Sequence, residues 1–421
     1  MRVLQATDTY PPPLVGGQPL HVQMLARELA DRGHEVEVAA LAGPDGPRTE
    51  LDGVVPVHRV TGWSRLLRRF YEDPERPFHP TVPDPGVARS LFRLVQRQQP
   101  DVVHAHSWIV HSLLAFLPTR RTRLVVTMHE YGAVCARLTY MHHDAVCSGP
   151  RFAKCIACAS GQYGVARGSA LAAGLAAARP LRRRVDRYLA VSTPVAEAGA
   201  SLTRGSDAPI VIVPPFLADD SFEISDHGRP EFVPPTGDYL MFAGALGPHK
   251  GIDVLLDAYA ELTAVPLVVV GLRRHDSPNA FPPGVIVVED VPHDDVLRAF
   301  RHYAIALVPS RWPDPCPLVA LEAMAAGAPV IASATGGLVE QVADGVTGRL
   351  VPPGDVAALR AAIADLLADP DARRRMGAAG RRRALAYSAS TVVPRIEAVY
   401  REVTAERSSP VAVARARSWL A

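Results

Sequence analysis

Lysine is nearly missing from this chain of 421 residues: Lys154 and Lys250 are the only two, against 43 arginines. With alanine abundant, the bias reads as the codon usage of a GC-rich genome. A retained lysine therefore marks a position where a compact point charge matters. Cysteine is sparse too, and five in so long a chain exclude a secreted disulfide scaffold. The formal net charge of only +2 excludes a dedicated nucleic-acid binder. The N-terminus, Met1 to Asp8, has no apolar core of a signal peptide, so none is expected. The uncharged stretch Val102–Thr119 carries His104, His106 and His111 and makes a poor membrane span. These absences lead to the expectation of a cytoplasmic protein.

What is present is enough apolar sequence, 48% hydrophobic with 21% charged, to bury large cores. The length suggests two domains, or three. Short apolar runs alternate with helix-like segments. Val3–Thr7, Glu35–Ala40, Val102–His104, Leu124–Thr127, Tyr188–Val191 and Ile210–Val213 read as strands. Gln18–Arg32, Val87–Gln98 and Leu171–Arg187 read as helices. The rhythm breaks at Pro214-Pro215 and restarts after Pro234-Pro235 with Tyr239–Ala243. The alternation predicts α/β architecture with doubly wound parallel sheets. The expected division is a Rossmann-like domain over 1–215, a linker over 216–236, a second Rossmann-like domain over 237–390, and a helical segment over 391–421 that packs back on the first.

Charge divides between the halves. Residues 1–215 hold 25 basic and 18 acidic residues, and residues 216–421 hold 20 and 25. A net +7 half favours an anionic ligand or a membrane surface, or is simply a basic exterior. Arg179, Arg182, Arg183, Arg184 and Arg187 cluster behind an Ala-rich segment. They read as a peripheral contact for anionic headgroups or as a solvated helix end.

The most informative segment runs from Ser310 to Ser333, with Gly336-Gly337 beyond it. A strand end, a loop held by Pro315 and Pro317, a helix and another strand follow in order. Asp314 lies in the loop and Glu322 eight residues on, in the helix. A helix N-terminus suits a phosphate, and carboxylates accept hydrogen bonds from sugar and ribose hydroxyls. A second segment, Phe242-Ala-Gly-Ala-Leu-Gly-Pro-His-Lys-Gly, follows a strand and opens a helix. Its Gly244 permits close backbone approach, and Lys250 supplies a charge.

The Ser310–Ser333 segment, with its Leu-Glu-Ala-Met-Ala-Ala-Gly-Ala-Pro-Val run, resembles the E-x7-E region of family 4 glycosyltransferases. The resemblance covers most of the chain. It implies the GT-B fold: two facing Rossmann-like domains with an interdomain cleft. It implies a retaining, metal-independent transfer from a nucleotide-sugar donor (UDP-, GDP- or dTDP-linked), the C-terminal half holding the donor. Asp314 would orient the sugar and Glu322 the ribose. Lys250, with Gly244 and the Leu318 and Val319 N–H groups, would hold the diphosphate. Departures are clear. Asp314 replaces the first Glu, Cys316 and Pro317 replace an aromatic residue and a Gly, and Ala245 stands where an Arg is usual.

In the first half, Gly16-Gly17 resembles the family's Gly-Gly loop after the first strand. His129 resembles its cleft histidine, and His106 and Trp108 are further cleft candidates, whereas His104 reads as structural. Cys135, Cys147, Cys155 and Cys158, spaced C-x11-C-x7-C-x2-C, could hold a structural zinc, carry an iron–sulfur cluster or stay free. No D-x-D stands at a strand end and no G-x-G-x-x-G opens either half, which speaks against a dinucleotide-dependent dehydrogenase. The sequence reading is thus a glycosyltransferase. Its acceptor would be a lipid-linked glycan, a sugar phosphate or a natural-product aglycone, with no nucleic-acid partner. The alternatives are a pseudo-glycosyltransferase using a nucleotide-linked cyclitol, and a non-catalytic GT-B partner subunit.

Overall fold

The computed structural model describes residues 1–12, 16–70, 78–119, 121–203, 209–223, 228–262, 264–273, 276–302 and 304–405. Part of the N-terminal loop (13–15), part of the linker (224–227) and the end of the C-terminal segment (406–421) lie outside them. The chain forms two compact units. One holds Met1–Val213 and the chain from Val393 on, and the other holds Pro214–Val392.

The first unit's strands are β1 (Arg2–Thr7), β2 (Glu35–Leu41), β3 (Arg48–Asp52), β4 (Val55–Val60), β5 (Val102–His106), β6 (Arg123–Met128), β7 (Met141–His142), β8 (Ala145–Val146), β9 (Arg187–Ala190) and β10 (Ile210–Ile212). All but β7 and β8 form one sheet of order β10-β9-β6-β5-β1-β2-β4-β3. Pairing is parallel except for β3 against β4. A parallel sheet covered on both faces needs apolar residues at successive positions. Val3 to Thr7 and all of β5 are buried accordingly. The β3–β4 hairpin, closed by Gly53-Val54, escaped the sequence reading because β3 alternates between half-buried and exposed residues and has no apolar run.

The segment read as one helix over Leu171–Arg187 divides into a helix Val165–Ala177, a tight turn Leu181–Arg184 and β9. Pro180 cannot donate its backbone bond inside a helix, which ends the run. The C-terminal helix, Ala389–Ala405, buries Tyr400 in the first unit. Its Glu397 carboxylate pairs with Arg32 at 3.0 Å and His34 at 2.9 Å.

The second unit's strands are β11 (Tyr239–Ala243), β12 (Leu267–Val270), β13 (Val285–Val288), β14 (Ala304–Val308), β15 (Val330–Ser333) and β16 (Gly348–Val351). They form an all-parallel sheet of order β13-β12-β11-β14-β15-β16. The segment read as a linker is not a free connection. Leu217 and Val233 are buried in this unit's core, because each packs an apolar side chain against its strands and helices.

Candidate active site

Strand order reverses in each sheet, between β5 and β1 in the first unit and between β11 and β14 in the second. Open α/β sheets bind ligands beyond the strand ends at such points. In the second unit, the loops leaving β11 and β14 carry the residues singled out by sequence. The loops are tied together. The Arg311 and Trp312 N–H groups donate to the His249 carbonyl at 3.0 and 3.4 Å. Gly251 permits this approach: with φ of 75°, a Cβ there would lie 1.9 Å from the Pro309 oxygen. Gly251→Ala is expected to destabilise the unit by about 3 kcal/mol or more, read as a lower urea midpoint; an unchanged midpoint would refute the packing described.

Lys250 Nζ lies 2.5 Å from Asp314 Oδ2, and Ser310 Oγ donates to the same oxygen at 3.1 Å. The ammonium also stands 5.4 Å from the Trp312 ring centroid. Asp314 is 4% exposed and Lys250 24%, so the anion is enclosed while the cation still reaches solvent. Gly336-Gly337 holds the Asp314 loop from behind, the Gly337 N–H donating to the Asp314 carbonyl at 2.7 Å. Gly244, at the end of β11, donates its N–H to Val270.

The signature helix, Leu318–Ala326, follows Pro317 and has no side-chain cap. The first-turn N–H groups, Leu318 and Val319 among them, have no acceptor within the helix and suit an anion. Glu322 is not a solvent-facing helix carboxylate: it is 8% exposed, and His293 Nε2 lies 2.9 Å from its Oε1. Burial lowers the His293 pKa, but the hydrogen bond and charge of Glu322 outweigh it and leave it raised. His293 was missed by sequence reading, because nothing local links it to a residue 29 positions away. Cys316, in the same loop, is enclosed. Burial pushes its thiol well above the usual range, and Gln341 Nε2 sits 3.1 Å from its sulfur.

In the first unit, Gly16 caps and Gly17 opens the helix Gly17–Asp31, again without a side-chain cap. The residues at the strand ends form a polar chain. The Gln5 amide donates to Tyr400 Oη at 3.3 Å, so its oxygen is left to accept from His106 Nε2 at 2.7 Å. His106 Nδ1 then accepts from His129 Nε2 at 2.8 Å, which leaves His129 Nδ1 as a hydrogen-bond acceptor. These tautomers follow from the bonding pattern. His104 bonds Tyr400 at 2.7 Å and Thr127 at 2.6 Å. Burial lowers the pKa of His104 to about 3 and those of His106 and His129 well below the ordinary value. The imidazoles are thus neutral.

Two expected cleft residues are not in contact with a ligand space. His106 is fully buried, with both ring nitrogens engaged by Gln5 and His129. Trp108 is buried as well. Its indole N–H donates to the Gly132 carbonyl at 2.9 Å and its ring packs on Phe78, so it is a core residue. The arginine run is likewise not one exposed patch. Arg182 and Arg187 are buried, and the Arg182 guanidinium donates to the carbonyls of Ala133 and Leu175. Among the described residues no helix is long and apolar enough to cross a membrane.

The four clustered cysteines line one small cavity, but the ligand shell is not preformed. As the side chains are placed, no group of three His, Cys, Asp or Glu residues among those described could hold an ion.

Known proteins share this arrangement. Residues 15–220 match the family model described as Glycosyltransferase Family 4, and residues 226–383 match that described as Glycosyl transferases group 1. The two Rossmann-like units define a GT-B glycosyltransferase. The chain belongs to the family 4 glycosyltransferases. It is 28% identical over 400 residues to a glycogen synthase of Mycobacterium tuberculosis, covering 91% of this chain and 90% of that one. It is 28% identical over 423 residues to a D-inositol 3-phosphate glycosyltransferase of Acidothermus cellulolyticus, covering 93% and 87%. In fold it is similar to a sucrose-phosphate synthase from Thermosynechococcus elongatus (TM-score 0.73, 22% identity, 96% of this chain and 100% of that one). It is also similar to the Anabaena protein HepE in complex with UDP-glucose (TM-score 0.68, 17% identity, 96% and 100%).

Proposed function

We propose that this enzyme transfers a sugar, with retention of anomeric configuration and without a catalytic metal, from a nucleotide-sugar donor held by the second unit. The observation that carries this reading is the grouping at one sheet switch point of Lys250, Asp314 and the uncapped signature helix. A lysine and a helix N-terminus together stabilise a departing diphosphate by charge and by fixed N–H dipoles. Asp314 accepts from sugar hydroxyls and keeps the Lys250 ammonium in place. Glu322 accepts from the ribose, its free oxygen oriented by His293. The acceptor hydroxyl attacks the anomeric carbon from the face the diphosphate leaves, and a donor phosphate oxygen takes its proton. The first unit holds the acceptor, with the Gly16-Gly17 loop near it and His129 Nδ1 accepting from a sugar hydroxyl. Its net positive half suits an acceptor bearing phosphate. The relatives named for inositol phosphate, and the UDP-glucose complex, support this class of substrates.

A thermal-shift panel of UDP-, GDP-, dTDP- and ADP-sugars tests the donor. One of them is expected to raise Tm by several degrees in wild type and not in Glu322→Ala. NMR of the product should show the donor's anomeric configuration. No shift with any nucleotide sugar, or an inverted product, would overturn the proposal. Transfer that stops at once with EDTA and returns with Mg²⁺ would overturn its metal-independent part.

A further inference from the structure

We propose that Cys135, Cys147, Cys155 and Cys158 bind one zinc ion as four thiolates, closing a structural site in the first unit. The inference is independent of the sugar-transfer reading. The four sulfurs come from three pieces of chain: the turn after β6, the end of the β7–β8 hairpin, and the helix Phe152–Tyr163. All four line a single cavity of about 20 Å³. That is room for one water-sized particle.

The groups around the sulfurs are those that thiolates need and thiols do not. The backbone N–H groups of Arg137 and Tyr140 are directed at the Cys135 sulfur. Lys154 Nζ lies 3.2 Å from Cys147 Sγ, and Arg137 Nη1 lies 3.5 Å from Cys158 Sγ. Four thiolates around Zn²⁺ carry a charge of −2, and Lys154 and Arg137 supply two positive charges to balance it. This gives the second lysine of a lysine-poor chain a function: a compact ammonium reaches a sulfur between neighbouring loops.

The backbone supplies an independent argument. Of six non-glycine residues described with positive φ, three fall here: Leu138, Tyr140 and His143. Such conformations cost about 1–3 kcal/mol each and persist only where the surroundings hold them. Yet the segment from Tyr131 to Arg151 has only two strands of two residues each, and β8 is exposed. A loop this long with so little core needs a cross-link. All four cysteines are free, so no disulfide provides one. Small rotations of the cysteine side chains onto an ion would provide it, and metal sites commonly close only on binding. Four sulfur ligands in a cavity of this size suit tetrahedral zinc.

Elemental analysis of the full-length protein, purified under reducing conditions, is expected to find about one zinc per chain. Cys155→Ser/Cys158→Ser should lose it. If that variant does not fold, wild type stripped with a chelator serves instead: its Tm should fall by about 5 °C or more and recover on adding Zn²⁺. Reloading with Co²⁺ should give the visible absorption of a tetrahedral thiolate complex. Metal-free protein with an unchanged Tm, iron with sulfide in place of zinc, or paired disulfides in freshly reduced protein would each overturn the proposal.

Discussion

Lys250→Met is expected to cut turnover about 10²-fold, the usual cost of removing one preorganised charge from a leaving group. The same change should destabilise the second unit by about 3–5 kcal/mol, because Asp314, 4% exposed, would be left as a buried charge without its partner. The two effects can be separated. In Lys250→Met/Asp314→Asn the buried charge is gone, and Ser310 can still bond the amide. Stability should return towards wild type while turnover stays low. Urea unfolding and initial rates with the donor identified by thermal shift would measure both. If the double variant regains activity, or if Lys250→Met alone is fully active, Lys250 does not serve the diphosphate.

The second large effect is in acid. Burial lowers the pKa of His21 and His79 to about 4 and of His104 to about 3, against 6.5 for the free side chain. For a histidine lowered by folding, the unfolded chain binds the proton first. Stability is therefore full above pH 6.5 and is lost as pH falls from there towards the folded values. At pH 5.5 each of these three costs about 1.4 kcal/mol, on the order of 4 kcal/mol together. His106, His111 and His129, also lowered by burial, add to the loss. Glu130 opposes it. Its carboxyl is raised by burial to about 8, so it gains stability as pH falls, but one group does not cancel six. Ordinary carboxylates titrate near 4 and contribute little in this window. All six histidines lie in the first unit, so its urea midpoint should fall between pH 7.5 and 5.5 while that of the second unit holds. Equal midpoints, or imidazole resonances titrating near 6.5, would refute the burial described.

Local pattern carried much of the fold. Apolar runs such as Val102–His104 and Leu267–Val270 become strands because a strand buried on both faces needs nothing else. The signature helix was legible from Pro317, the run of helix formers and the closing Gly327. Segments that break local rules were not legible. The β3 strand lacks an apolar run, and the Leu171–Arg187 reading overlooked what Pro180 does to a helix. His106 and Trp108 were placed beside a ligand because strand ends attract such residues. The structure buries them because Gln5, His129 and Gly132 offer their nitrogens better partners.

By itself, the sequence determined the class of protein: two α/β units, a donor-binding signature with Asp314 and Glu322, and two lysines worth attention. Only the tertiary structure decided what those groups do to one another. Lys250 meets Asp314 across 64 positions, His293 meets Glu322 across 29, and Tyr400 sets the histidine chain from 296 positions beyond His104. Periodicity and spacing report what neighbours along the chain require. Charge pairing, burial and hydrogen-bond direction depend on which distant strands and helices a fold brings together, and no local pattern encodes them.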